Sequence, residues 1–221
     1  MFGENMDNVK KGDLVKLDYT GRMAKTGQVF DTTDEAIAKK AGIWESSSLY
    51  GPKHALFGSG AIIPGMEEAV LQAQLGKSED FAIEPKKAFG ERSSELVRLI
   101  PEKEFHKQQV QPAPGMILTL DGAIARVKSV TSGRVVIDYN HPLAGEQVIY
   151  SIKVHEVITD DKKKIEAILS ANALAGDIAQ SSGAGNGGAF TVTLKGVPSE
   201  KFEAAKRTIA AVVPGTEVKS G

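Results

Sequence analysis

The sequence predicts an α+β fold built from a sheet domain packed by one helix, a small β module inserted into it, and a C-terminal α/β module. Three observations predict it. Apolar alternation at 13–20 and again at 147–158 marks two half-buried strands that lie far apart in the chain. Between them stands a helix-period stripe at 64–75 and then a compact run of short strands punctuated by hairpin dipeptides. After residue 158 the pattern becomes helix, strand, helix.

In chain order, residues 1–12 are polar and read as an arm. In DLVKLDYT (13–20), Val15, Leu17 and Tyr19 share one face, which gives the first strand. Gly21 reads as the start of a turn, and GQVFD (27–31) returns as a second strand. Residues 34–42 read as a short helix stopped by Gly42, and 43–53 as an irregular loop punctuated by Gly51-Pro52. The 64–75 helix opens on Pro64, whose missing N–H costs nothing at the first helical position. It carries Met66, Ala69, Val70 and Ala73 on one side, and Gly76 serves as its stop. Residues 79–84 read as a strand with Phe81 and Ile83 inward.

Residues 91–140 change character. The Pro-rich VQPAPG (110–115) precedes three strand-like runs at 116–120, 123–130 and 133–138, separated by Asp121-Gly122 and Ser132-Gly133. The run QVIYSIKVHEVI (147–158) is a long strand with Val148, Tyr150, Ile152 and Val154 on one face. One long strand after a compact β module places the chain back in the first sheet. Residues 161–175 form an amphipathic helix through Ile165, Ile168 and Leu169, and 176–188 read as a Gly/Ser-rich flexible stretch. A strand at 189–195 and a helix at 200–212 capped by Ser199 follow, with Phe202, Ala205, Ile209 and Val212 on one helix face. Pro214-Gly215 ends that helix, and 216–219 read as a last short strand.

Composition removes several function classes. With 27 Lys and Arg against 28 Asp and Glu, a net charge of −1 gives no whole-chain footprint for nucleic acid. Without cysteine there is no disulfide, thiolate nucleophile or Cys-ligated metal. No apolar run is long enough for a membrane span, and the first residues show no signal-peptide core, so a cytoplasmic protein is expected. The 4 histidines (His54, His106, His141 and His155) show no helical metal spacing. Gly183, Gly185 and Gly188 match G-x-G-x-x-G, but a helix precedes them and a strand follows, the reverse of the dinucleotide-binding context. They read as linker. Tyr19, Phe30, Phe81, Phe89 and Tyr150 sit on or beside predicted strands with Asp31 as acidic neighbour; by pattern alone they are a sheet core.

Read in order, YTG at 19–21, GQVFD at 27–31, GSGAIIPGMEEAV at 58–70, AFG at 88–90 and NHPLAGE at 140–146 resemble the FKBP-type peptidyl-prolyl cis-trans isomerases. The likeness is strongest to the SlyD-like branch in its long archaeal form, and covers roughly residues 9–158. It implies an antiparallel half-barrel sheet wrapped on one helix. It divides the chain into an isomerase domain of residues 1–90 plus 141–158, an inserted flap chaperone domain at 91–140 and a C-terminal domain at 159–221. By the resemblance, Tyr19, Asp31, Ile63, Phe89 and Tyr150 are the catalytic set, with the Ile63 backbone N–H anchoring substrate. Phe30, Ile62, Met66 and Leu56 line the substrate site, and Tyr50 and Phe57 are the other candidates for a loop aromatic. Phe89 stands where the family usually has Tyr, which removes a hydroxyl able to bond substrate.

The implied activity is prolyl isomerisation with chaperone action on unfolded or proline-containing polypeptides, blocked by macrolides such as tacrolimus or rapamycin. It requires no metal or other cofactor, and the TEVKSG end lacks the His/Cys-rich tail of many SlyD proteins. No nucleic-acid or membrane partner is expected; a homodimer through the C-terminal domain is a further expectation of the resemblance. Two other readings stay open. One, favoured by Phe89, is a holdase chaperone or interaction protein with this fold and little isomerase activity. The other is an adaptor that docks partners through its C-terminal domain.

Overall fold

The computed structural model describes residues 9–60, 62–120, 122–180 and 190–221. Strand β1 (Leu14–Met23) is the spine of a five-stranded antiparallel sheet. One of its edges is shared by two short strands, β2 (Val29–Thr32) at its far end and β3 (Lys53–Leu56) at its start. Between them lies helix α1 (Glu35–Ala41), capped by the Asp34 carboxylate on the Ile37 N–H and closed by Gly42 at φ 72°. Helix α2 (Pro64–Gln72) follows, then β4 (Ser78–Ile83).

Gly21 does not start a turn. β1 runs through it to Met23, because the strand pairs with the chain's later long strand all the way to Val148. α2 also ends earlier than expected: Ala73 is already extended at ψ 151°, and Gly76 instead turns the chain into β4, its N–H donating to Val154 O at 2.7 Å.

The chain divides into two compact units, residues 1–83 with 148–221, and residues 84–147. The second unit holds β5 (Val97–Pro101), α3 (Glu102–Lys107), β6 (Ile117–Leu120), β7 (Ala123–Thr131) and β8 (Arg134–Asp138). Its sheet has the order β5-β8-β7-β6, all antiparallel. The all-β expectation for this module needs correcting: the six-residue α3 supplies Phe105 to a core with Ala125, Val127, Val135 and Ile137. Ser132 and Gly133, at φ 51° and 75°, form a two-residue hairpin turn that needs positive φ at both positions. Of the two paired residues 121–122, Asp121 lies outside the described residues.

The base of the second unit is clasped. Ser93 N–H donates to Asn140 Oδ1 at 2.8 Å, while Asn140 Nδ2 donates back to Ser93 O at 2.9 Å. Arg92 pairs with the Asp138 carboxylate; burial pushes this group up, but the Asn140 hydrogen bonds and then the guanidinium together hold it below the ordinary range. Burial sorts the module's apolar residues. Ile100, Phe105, Val110 and Leu118 pack in its core. Leu99, Ile117 and Ile124 lie 54%, 62% and 74% exposed.

The first unit resumes with β9 (Val148–Ile158), paired to β1 on one side and β4 on the other. Val148, Tyr150, Ile152 and Val154 are buried as the alternation requires, and α2 packs against β9 and β4. Helix α4 (Asp161–Ala171) is capped by Asp160. β10 (Gly176–Gln180) and β11 (Phe190–Leu194) pair antiparallel, and α5 (Ser199–Val212) leads to β12 (Glu217–Ser220), which lies parallel to β11.

Three expectations change in this tail. Residues 176–180 are a strand, not part of a linker. Ser199 is the first helical residue, preceded by Pro198, and does not cap by its side chain. The α4 helix stops at Ala171, with Ala173 turning at φ 51°. The glycines at 183, 185 and 188 lie outside the described residues, as do residues 1–8. The tail shares one apolar core with the start of β1 and the end of β9: Leu14 and Ile158 join Ile165, Leu169, Val192, Leu194 and Ile209. A buried ion pair reinforces this junction, with Lys164 Nζ 3.6 Å from the Asp13 carboxylate.

Candidate active site

Sheet register assembles the site. Asp31 on β2, Gly21 on β1, Tyr150 on β9 and Phe81 on β4 are successive cross-strand partners, so they form one row across the sheet on a single face. Tyr19 lies two residues before Gly21 and shares that face. Gly21 is the empty place in the row. A Cβ there would meet the Phe30 ring at 2.8 Å and the Tyr150 ring at 2.9 Å, so the absent side chain is what lets two aromatics sit over the strand. Phe30 meets Tyr150 edge-on at a centroid distance of 5.8 Å and 81°, and Tyr19 meets Tyr150 at 5.9 Å and 57°.

These rings border a cavity of about 300 Å³ lined by Tyr19, Phe30 and Asp31 from the strands, and by Ile43, Leu49, Tyr50 and Lys53 from the segment after α1. Tyr150, 3% exposed, backs the Tyr19 and Phe30 rings. The loop is held by its own polar contacts. Glu45 N–H donates to the Tyr50 hydroxyl at 3.0 Å, the Lys53 ammonium donates to Leu49 O, and Gly51 N–H donates to Thr33 O at 2.7 Å.

The remaining predicted residues are placed differently. Ile62 and Ile63 are half-buried just before α2 and Met66 is buried in its first turn; none is among the residues lining the cavity. The Ile63 N–H meets no acceptor among the described residues. Leu56 packs on the core shared with the C-terminal tail, and Phe57 closes a backbone pair with Asp13. Of the three loop candidates, Tyr50 is the one at the cavity. Phe89 belongs to the second unit, where its ring stacks on His141 at 4.6 Å and 4°. Sequence reasoning passed over Leu49, Ile43 and Lys53, which sit in a loop with no periodicity to flag them.

The Tyr19 hydroxyl donates to the Asp31 carboxylate. Burial first, then the Asp31 charge and this hydrogen bond, push its pKa from 10.0 up to about 12. Burial, then Asp31 and Tyr19, raise Tyr150 as well. Both hydroxyls are therefore neutral at physiological pH, and the cavity carries the Asp31 carboxylate beside the aromatic rings and Glu45 on the loop side. Between pH 10 and 12 the unfolded chain releases the Tyr19 proton while the folded chain keeps it. This contribution to stability is complete below pH 10 and is lost as pH rises toward 12. In Asp31→Asn, Tyr19 is expected to titrate below its wild-type value yet above 10, because burial, the larger cause, remains. Tyrosinate absorbance against pH checks this; an unchanged titration would remove Asp31 as a partner.

Comparison with known proteins decides the family. Residues 6–110 match the model for FKBP-type peptidyl-prolyl cis-trans isomerase, and residues 98–143 match the one described as FKBP26, IF domain. A short-type peptidyl-prolyl cis-trans isomerase of Methanocaldococcus jannaschii is 36% identical over 149 residues, 67% of this chain and 94% of that protein. The chain belongs to the FKBP-type peptidyl-prolyl cis-trans isomerase family. The FKBP-type isomerase SlyD of Helicobacter pylori is 28% identical over 157 residues, covering 70% of this chain and 76% of its own length. The three FKBP domains of wheat FKBP73 match at a TM-score of 0.37 and 17% identity, over 72% of this chain and 44% of that one. This FKBP-type chain has an α+β fold, its five-stranded and four-stranded sheets antiparallel, and SlyD-like relatives. No helix among its described residues is long and apolar enough to cross a membrane.

Proposed function

We propose that this protein accelerates cis-trans isomerisation of Xaa-Pro bonds at the Tyr19, Phe30, Asp31 and Tyr150 site, on polypeptides gathered by the second unit. The carrying observation is the aromatic row closed over Gly21 with the Asp31 carboxylate beside it. Rotating a prolyl amide breaks no covalent bond; the barrier of roughly 18–20 kcal/mol comes from lost resonance. The twisted amide is less polar than the planar one, so a pocket of aromatic rings that keeps water off the carbonyl favours the transition state over the ground state. Tyr150 and Phe30 form the apolar wall. Asp31 holds the Tyr19 hydroxyl and faces the developing amine-like nitrogen. The Ile63 N–H, at the start of α2, anchors the substrate backbone. A macrolide such as rapamycin or tacrolimus competes for the same wall.

The reading that residues 91–140, within the second unit, form a chaperone domain inserted in the flap of a long archaeal-type isomerase has two supports. One is the match of 98–143 to the FKBP26 IF domain. The other is that the chain leaves the sheet at Ile83 and re-enters at Val148, which are paired neighbours on β4 and β9. The exposed Leu99, Ile117 and Ile124 would bind unfolded chains, whose captured prolines then reach the site at raised effective concentration.

The test is refolding of a protein limited by a slow prolyl step, which lasts tens to hundreds of seconds uncatalysed. Catalytic amounts of this protein are expected to shorten that phase, and rapamycin to restore it. Suppressed aggregation with an unchanged slow phase would replace this reading with that of a holdase.

A further inference from the structure

We infer that Thr33, with Asp18 and His155 behind it, is a positioning residue that sets the pose of Tyr19 and the Tyr50 loop at the prolyl site; this rests on the isomerase reading above. Thr33 is 2% exposed and lies outside the aromatic row, yet three parts of the site converge on it. Its hydroxyl accepts the Tyr19 N–H at 3.0 Å. Its own N–H donates to Tyr19 O at 2.9 Å, and its carbonyl accepts the Gly51 N–H at 2.7 Å, one residue beyond Tyr50. Tyr19, the end of the Asp31 strand and the Tyr50 loop are therefore tied through one residue.

The direction of the hydroxyl proton matters. Thr33 Oγ1 has two acceptors in reach, Asp18 Oδ1 at 2.8 Å and Tyr19 O at 3.3 Å. The shorter bond, to a carboxylate, is the stronger. It draws the proton to Asp18 and leaves a lone pair aimed at the Tyr19 N–H. Asp18 is fixed in turn, because its second oxygen meets His155 Nε2 at 2.7 Å. His155 reaches it from a β-bulge: the β1–β9 register slips between Lys16 and Leu17, so that Glu156 opposes Lys16 and Val154 opposes Leu17, with His155 as the extra residue. Bulges re-aim side chains, and this one brings an imidazole to the carboxylate that orients Thr33. None of these groups lines the cavity bordered by the rings. Their effect passes through the backbone of Tyr19, whose ring and hydroxyl do.

Thr33→Val keeps the shape and removes the hydroxyl; Thr33→Ser keeps the hydroxyl and removes the methyl. Isomerisation of a short proline peptide, rapamycin affinity and thermal unfolding would be measured for wild type, both variants and Asp18→Ala. The expected result is a fall of about tenfold in kcat/KM and a weaker rapamycin affinity for Thr33→Val, recovery to within about twofold in Thr33→Ser, and a fall of about threefold in Asp18→Ala. A folded Thr33→Val as active as wild type would overturn the inference, as would a Thr33→Ser no better than Thr33→Val, since the methyl and not the hydroxyl would then matter. If Thr33→Val does not fold, Asp18→Ala decides: full activity overturns the inference. A wild type with no rapamycin-sensitive isomerisation would overturn the isomerase reading and this inference together.

Discussion

Gly21→Ala is expected to lower catalysed prolyl isomerisation at least tenfold and to destabilise the first unit by about 1–3 kcal/mol. The physical reason is local and steric. The new methyl would stand 2.8 Å from two atoms of the Phe30 ring and 2.9 Å from the Tyr150 ring, distances at which something must move. Strand backbone cannot yield, because Gly21 is paired on both sides, to Asp31 and to Tyr150. The rings therefore turn away, and the wall they form opens to water. The separating control is Val70→Ala in α2, a buried residue away from the cavity lining. It is expected to cost stability of similar size while leaving kcat/KM near wild type. Thermal unfolding and peptide isomerisation measured on both variants check the pair. Equal activity losses would mean that the site responds to stability alone.

The second large effect concerns residues 95–138. Replacing them by a short turn is expected to leave isomerisation of a short peptide within about twofold of wild type, and to slow catalysed refolding of a protein substrate about 100-fold. The deletion is geometrically permitted. Asp138 is the register partner of Val97, Tyr139 N–H donates to Leu96 O at 2.9 Å, and Ser93 and Asn140 hold each other by two hydrogen bonds. The two chain ends already lie side by side, so joining them strains nothing outside the module. The contrast between peptide and protein substrates is the readout. A parallel loss on both would mean that the module supports the site's structure instead of supplying substrate, and no loss on either would leave it without a part in catalysis.

What the sequence made legible follows from where its patterns are physically enforced. Strand β9 is buried on alternate residues over its whole length, and Val148, Tyr150, Ile152 and Val154 showed that period without help. The α2 start and the α1 end were legible because Pro64 is first-turn chemistry and Gly42 a helix stop. Gly21 misled because glycine in a strand pattern marks either a turn or a close approach, and only the rings above it distinguish the two. β3 was illegible: KHAL is four residues long, and it is a strand only because the start of β1 offers it an edge. The same holds for β5, whose VRLIP shows one face to a core and the other, through Leu99, to solvent.

Of the site residues that motif resemblance offered, Tyr19, Phe30, Asp31 and Tyr150 come together at the cavity and the rings behind it. The resemblance could not separate Leu56 from Tyr50, since both stand in the same stretch and only strand register turns one toward the tail core and leaves the other at the cavity. Thr33 carried no signal at all. Its hydrogen bonds reach residues 14, 15 and 18 positions away in the chain, which no local pattern encodes.

The most direct measurement is two-dimensional NMR exchange on a short Xaa-Pro peptide with catalytic amounts of the protein. Uncatalysed exchange is far too slow to appear on that timescale. The account predicts cis–trans exchange peaks with wild type that vanish with rapamycin and in Gly21→Ala. Exchange absent with folded wild-type protein, or present and undiminished in Gly21→Ala, would contradict it.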